Sequence, residues 1–187
     1  MSGHTKLLSQ INNPWIYLIS GRRFHFLNPS PREFAIHDIA WGLSRQARFY
    51  GHTHGNPYSV AQHSVLVSRE VPAEHAFAAL MHDGAEALIS DINKYLKMAL
   101  PDYRRIEAKV EQVVLAKYGL PWPMSPEVKH ADNVLAVTEL RDLQRCTHWK
   151  RQPFKPLAKK IVPWTWQRSY REFLKRYHEL KHQAKRA

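Results

Sequence analysis

The sequence carries twelve histidines and one cysteine, Cys146, in 187 residues. Thiolate metal sites are therefore excluded, and any metal chemistry must come from imidazole and carboxylate, a donor set that suits Mn, Fe, Co, Ni, Zn or Mg. Two His-Asp dipeptides occur. The first, His37-Asp38, opens what reads as a helix leading into Ile39, Trp41 and Leu43, where an aspartate has a sufficient structural task as N-cap. The second, His82-Asp83, ends the apolar run of Ala76, Ala79, Leu80 and Met81 and is followed by Glu86 and Asp91. Acidic groups thus crowd one stretch directly beyond a buried segment. Buried carboxylates need a partner, and a divalent cation is the simplest one. His63 and Asp132 stand on the apolar rows of two further helices. Taken alone, His63 reads more readily as a core histidine satisfied by hydrogen bonds than as a ligand.

The elements that must position these side chains are mostly helical. Ser59, with Gln62 three residues on, forms a capping-box pattern, which predicts a helix over residues 60–69 carrying His63. Pro72 restarts the chain before the apolar helix that delivers His82-Asp83. A helix over 102–118 aligns Ile106, Val110, Val113 and Val114 and stops at Gly119. Ser125-Pro126 supplies an N-cap and a first-turn proline, starting a long helix with Val128, Asp132, Leu135 and Glu139 along one stripe. Thr165 caps a last helix with Trp166, Tyr170, Phe173, Tyr177 and Leu180 at helical spacing. Only residues 22–27, which alternate ahead of Asn28-Pro29-Ser30-Pro31, suggest β structure, as a short N-terminal hairpin. There is no glycine-rich phosphate loop and no internal repeat.

With 44% hydrophobic and 24% charged residues, the composition excludes disorder and low-complexity repeats. The length predicts one domain over 1–187. Apolar runs reach only about six residues, against the roughly 18 needed to span a bilayer. The first 20 residues hold one lysine and a short apolar run, Trp15–Ile19, so no export signal is expected. The lone cysteine fits the cytoplasm. The net charge of +12 is uneven: from Arg145 onward 13 Lys/Arg face only Glu172 and Glu179, so residues 145–187 form a basic C-terminal extension of net +11. A solvated helix face and a groove for anionic substrate or nucleic acid both account for it.

The order His63, His82-Asp83, Asp132 resembles the HD superfamily of metal-dependent phosphohydrolases, with the likeness running from about Arg22 to Arg145. The segments Asp38–Ser44, Arg48–His52, Tyr58–Ser64 and His82–Asp91, then Lys97 and Leu100–Tyr103, are similar to a phage and prophage branch. That branch is related to bacterial deoxynucleoside 5′-monophosphatases and to phage enzymes that hydrolyse dATP to deoxyadenosine and triphosphate. The resemblance implies a mostly α HD-domain bundle with His63, His82, Asp83 and Asp132 as ligands of a divalent ion (Mn, Co, Zn, Fe or Mg). It makes Arg48 the phosphate-contacting arginine, Glu86 a proton-handling group and Asp91 a second acid facing the reacting phosphate. Phe49 stands where the nucleotidases have a tryptophan against the nucleoside, and Gly51 where the dATP enzyme has an aliphatic residue beside the base. Lys94 and Lys97 would help neutralise phosphate oxygens. The expected activity is release of triphosphate from a dATP-like substrate, with a 5′-monophosphatase as alternative. Cations for a triphosphate would come from Arg168, Arg171 and Lys175 of the tail. The expected assembly is a homo-oligomer in the cytoplasm, that of the host if the protein is phage-encoded, with no membrane partner. A nucleic-acid-binding HD protein using the basic C-terminal helix is the competing class.

Overall fold

A computed structural model describes residues 13–184. Residues 1–12, on which the reading of no export signal partly rests, and 185–187 lie outside the described residues. The chain is mostly helical, with one two-stranded antiparallel hairpin near its start. Among the described residues no helix is long and apolar enough to cross a membrane.

The hairpin pairs β1 (Trp15–Tyr17) with β2 (Arg23–His25), Ile16 opposite Phe24. Its reversal therefore precedes residues 22–27, and the expected turn at Asn28–Pro31 closes no hairpin. Leu18 donates its N–H to the Arg22 carbonyl at 2.9 Å, and Gly21 takes the left-handed φ of 78° that the tight turn requires. The proline-rich stretch instead leads down to α1 (Ile36–Arg45), held by Glu33, which accepts from the His25 N–H at 3.1 Å and contacts its Nδ1 at 2.6 Å. Asp38 is not the N-cap of α1 but its third residue. From there its carboxylate reaches back to the N–H groups of Ala35 (2.8 Å) and Ser20 (3.0 Å), so it satisfies an orphan helix donor and ties the hairpin to α1.

At the centre lies α2 (Val60–Val67), buried at every position but Leu66. A helix apolar on nearly all sides belongs inside a bundle, and α2 contacts α1, α3 (Ala76–Met81), α7 (Pro126–Glu139) and α8 (Trp166–Ala184). Ser59 caps it as expected, accepting from the Gln62 N–H at 3.2 Å. The Gln62 side chain does not close the box. It donates to the Val162 carbonyl (2.9 Å) and accepts from the Trp164 N–H (2.7 Å), stitching the irregular segment before α8 onto the central helix. The short α4 (Glu86–Ile89) and α5 (Lys94–Met98) follow His82-Asp83, and α6 (Pro101–Lys117) is followed by the left-handed Gly119 that the spacing predicts as its stop. Gly42 of α1 lies against α4 so closely that a Cβ would sit 2.8 Å from the Ala87 carbonyl oxygen.

The basic C-terminal segment folds back onto the bundle. Phe173, Tyr177 and Leu180 of α8 are buried with Phe24, Leu43, Val65 and Leu80 in one core. A second core joins Tyr58, Val67, Leu135, Leu143 and Ile161.

Candidate metal centre

His63, midway along the central helix, is fully buried. Its Nδ1 meets Glu139 Oε1 at 2.6 Å, which leaves Nε2 as the free ring nitrogen. That Nε2 lies 3.0 Å from Asp132 Oδ1 and 3.7 Å from Asp83 Oδ2, yet makes no hydrogen bond of proper geometry. His82 stands at the C-terminal end of α3. Its Nδ1 donates to the Ala79 carbonyl at 2.8 Å. Its Nε2, also buried without a hydrogen-bond partner, lies 3.2 Å from Asp83 Oδ1 and 3.9 Å from Asp132 Oδ1.

One ligand atom from each of His63, His82 and Asp132 lies within 4.8 Å of the others. Metal–ligand bonds of about 2.0–2.2 Å place neighbouring donors some 3–4 Å apart, so the spacing fits one cation. With Nδ1 of each ring held by its own partner, the two Nε2 atoms face Asp132 and Asp83, the arrangement by which proteins orient histidine ligands. His63, His82 and Asp132 could therefore hold a metal ion.

Glu139 is the residue that the ordered motif does not contain. Fully buried, it contacts His63 through Oε1 and accepts from Arg48 Nε through Oε2 at 3.1 Å. Its position was readable: it stands seven residues, two helical turns, beyond Asp132 on a stripe otherwise apolar. A carboxylate there must have partners of opposite charge.

Arg48 begins a single turn, Arg48–Gly51, in which Phe49 (φ 55°) and Tyr50 (φ 53°) are left-handed. Each such non-glycine residue costs about 1–2 kcal/mol. The turn is held by Arg48 N–H to the Tyr58 carbonyl (2.9 Å), His52 N–H to the Phe49 carbonyl (2.9 Å) and Asn93 N–H to the Tyr50 hydroxyl (2.7 Å). It aims the Arg48 guanidinium between Glu139 and Asp83, 3.5 Å from Asp83 Oδ2.

A cleft of about 330 Å³ opens beside the centre, lined by Arg48, Phe49, Asp83, Glu86, Asp91, Lys94, Lys97 and Asp132, together with Tyr50, Ile92 and Asn93. Of the substrate and catalytic residues expected within residues 48–97 it gathers all but Gly51, which faces a different surface depression with His52 and Gln144. Gly51 has a φ of 79° and serves the turn. Arg168, Arg171 and Lys175 do not line the cleft. They lie on the solvent side of α8, whose opposite face is committed to the core, so the expected contribution of the tail to phosphate binding finds no support in the geometry.

The charges of the site shift one another. Burial and Arg48 push the His63 imidazolium down, but the Glu139 and Asp132 carboxylates outweigh them and raise its pKa to about 9. Burial would push Glu139 up, yet Arg48 and His63 hold it below the usual carboxylate range. Asp132 is likewise held down, against burial, by His63, His82 and Arg48. Glu86 moves the opposite way. Burial, then Asp83 and Asp91, push its carboxyl well above the usual range, and its Oε2 has no hydrogen-bond partner. Lys97 Nζ stands 3.9 Å from Glu86 Oε1 and is bonded to Glu107, an acid that lies outside the motif.

No family model matches the chain. It is 49% identical over 129 residues to the uncharacterized protein YfdR of Escherichia coli (strain K12), a match covering 69% of this chain and 72% of that one. To an uncharacterized protein of Rhodobacter capsulatus it is 35% identical over 142 residues, again covering 69% and 72%.

Proposed function

This chain belongs to the family of Escherichia coli YfdR, and for it we propose a metal-dependent phosphohydrolase of deoxynucleotides, releasing the deoxynucleoside. The observation that carries the reading is the convergence of two buried, hydrogen-bond-free imidazole nitrogens and Asp132 at the end of a cleft lined by Arg48, Lys94 and Lys97. An acidic metal centre that opens onto cations suits a phosphate ester held between the two.

In this reading Asp83, which sits 3.2 Å from His82 Nε2, completes the ligand set, giving two imidazoles and two carboxylates. A divalent ion there supplies a Lewis acid and a water of lowered pKa. The rest is the work of side chains. Arg48, fixed by Glu139, keeps its remaining N–H groups for phosphate oxygens, and Lys94 adds a charge at the rim. Protonated Glu86 is suited to give its proton to the departing deoxynucleoside oxygen. Phe49, its ring 5.8 Å from the Arg48 guanidinium carbon, offers a flat apolar face to a base or sugar.

Triphosphate release from a dATP-like purine deoxynucleotide is the first form of this proposal. One observation favours the second, a 5′-monophosphatase: the tail cations do not line the cleft, and Lys97 is already bonded to Glu107. The test is to deplete the protein of metal, reload it with Mn, Co, Zn, Fe or Mg in turn, and assay dNTPs and dNMPs with triphosphate and orthophosphate separated. Metal-dependent turnover is expected, and His82→Ala and Asp132→Ala should each lose both bound metal and turnover while remaining folded. Retention of metal and full activity by either variant would end the reading.

A further inference from the structure

A second cavity, of about 390 Å³, is lined by residues next in the chain to those of the cleft. Arg45, Gln46 and Ala47 line it, and the next three residues, Arg48, Phe49 and Tyr50, line the cleft. Its volume lies within the range of about 300–1,000 Å³ usual for small-molecule sites. Its chemistry differs from that of its neighbour. Carboxylates crowd the metal cleft, whereas no carboxylate lines this cavity, whose walls include Pro57, Trp164 and Trp166.

Arg45 is the informative residue. Its guanidinium carbon lies 4.3 Å from the Trp41 ring and 4.0 Å from the Trp166 ring, held by both indoles. Among the described residues its N–H groups meet no acceptor and no carboxylate. Stacking on aromatic faces holds the planar fork in place, and its edges match the two oxygens of a phosphate or carboxylate. Arg168 is held in a similar way, its guanidinium carbon 4.7 Å from the ring of Trp164, another wall of the cavity.

We propose that this cavity is a second ligand site that takes a planar ring bearing a phosphate, the chemistry of a nucleotide, either free or as one unit of a single strand. The indole and proline walls suit the ring, and Arg45, held by tryptophan at the wall, suits the phosphate. No metal ligand takes part, so the inference stands apart from the function proposed above. The site is also joined to the metal cleft. With its amide oriented to satisfy donor and acceptor, Gln46 donates to the Glu86 carbonyl (3.2 Å) and accepts from the Asp91 N–H (2.8 Å).

The experiment uses the full chain, stripped of divalent ions by a chelator and carrying Arg48→Ala to disable the metal cleft. It is titrated with dAMP and with a short single-stranded oligodeoxyadenylate, followed by tryptophan fluorescence. Saturable quenching is expected, weakened roughly ten- to hundredfold by Arg45→Ala, the loss of a charge-assisted contact. Arg168→Ala, at an exposed residue that rests on Trp164 without lining the cavity, should weaken it by no more than about twofold. Tighter binding of the oligonucleotide, with a steeper salt dependence, identifies the strand as source, while equal or tighter binding of dAMP identifies the free nucleotide. Absence of saturable quenching by both probes, or quenching unchanged by Arg45→Ala, overturns the proposal. Loss of the phosphohydrolase reading would leave this result untouched, because no turnover is measured.

Discussion

Glu139 and His63 meet at 2.6 Å through Oε1 and Nδ1, both side chains fully buried, across the contact between α7 and α2. The same carboxylate holds Arg48 through its other oxygen, so one residue orients both an imidazole of the candidate metal site and the guanidinium beside it. Glu139→Gln keeps the shape but turns an amide N–H toward either His63 or Arg48. Metal affinity, measured by competition with a chromophoric chelator, should fall about 10- to 100-fold, the usual cost of losing such a partner. Glu139→Ala should also cost about 3–5 kcal/mol in denaturant unfolding, because two buried cations lose their counter-ion. Unchanged metal affinity in the Gln variant would remove Glu139 from the site.

The titration of this cluster has a definite sign. His63 is raised from 6.5 to about 9 in the metal-free protein, so its contribution to stability is fully present below about pH 6.5 and is lost as pH rises through 9. Glu139 and Asp132 are lowered, so theirs is present above the ordinary carboxylate range and is lost as pH falls through their depressed values. A metal ion requires neutral His63. Binding near neutral pH should therefore release about one proton, which calorimetry in two buffers of different ionisation enthalpy reads directly. Heats independent of buffer would show that His63 is already neutral.

Glu86 separates chemistry from binding. Glu86→Gln should retain the metal and bind substrate nearly normally, yet lose roughly 10²- to 10⁴-fold in kcat, the range of a positioned proton-transfer group. A raised KM at unchanged kcat would make it a binding residue instead.

The two faces of α8 should respond differently to substitution. Phe173, fully buried, should cost about 3–5 kcal/mol as Phe173→Ala. Arg171→Ala and Lys175→Ala, at exposed residues that do not line the cleft, should leave KM for dNTP and dNMP within about twofold, since charges in water are screened by solvent and salt. A KM rise confined to the dNTP would restore the tail to the phosphate site.

The local patterns translated well into structure because they depend on neighbours in the chain. Ser59 and Ser125 cap the helices that their spacing predicts, and Gly119 follows the end of α6. Where a side chain had two places to go, local pattern failed. Gln62 leaves its capping box for a segment 100 residues away, and Asp38 serves the hairpin as well as its own helix. Both outcomes depend on contacts that no local window contains.

The sequence by itself determined which side chains could hold a cation, because residue type sets donor chemistry and helical period sets which of them face inward. It placed His63, His82 and Asp132 on buried rows of three separate helices or helix ends. Only the tertiary structure decided that their donor atoms lie within 4.8 Å of one another, that Glu139 binds both His63 and Arg48, and that Gly51 and the tail cations stand outside the cleft. The reason is physical: hydrophobic periodicity fixes the face that a helix buries, but the rotation and crossing of one helix on another are set by packing over the whole core.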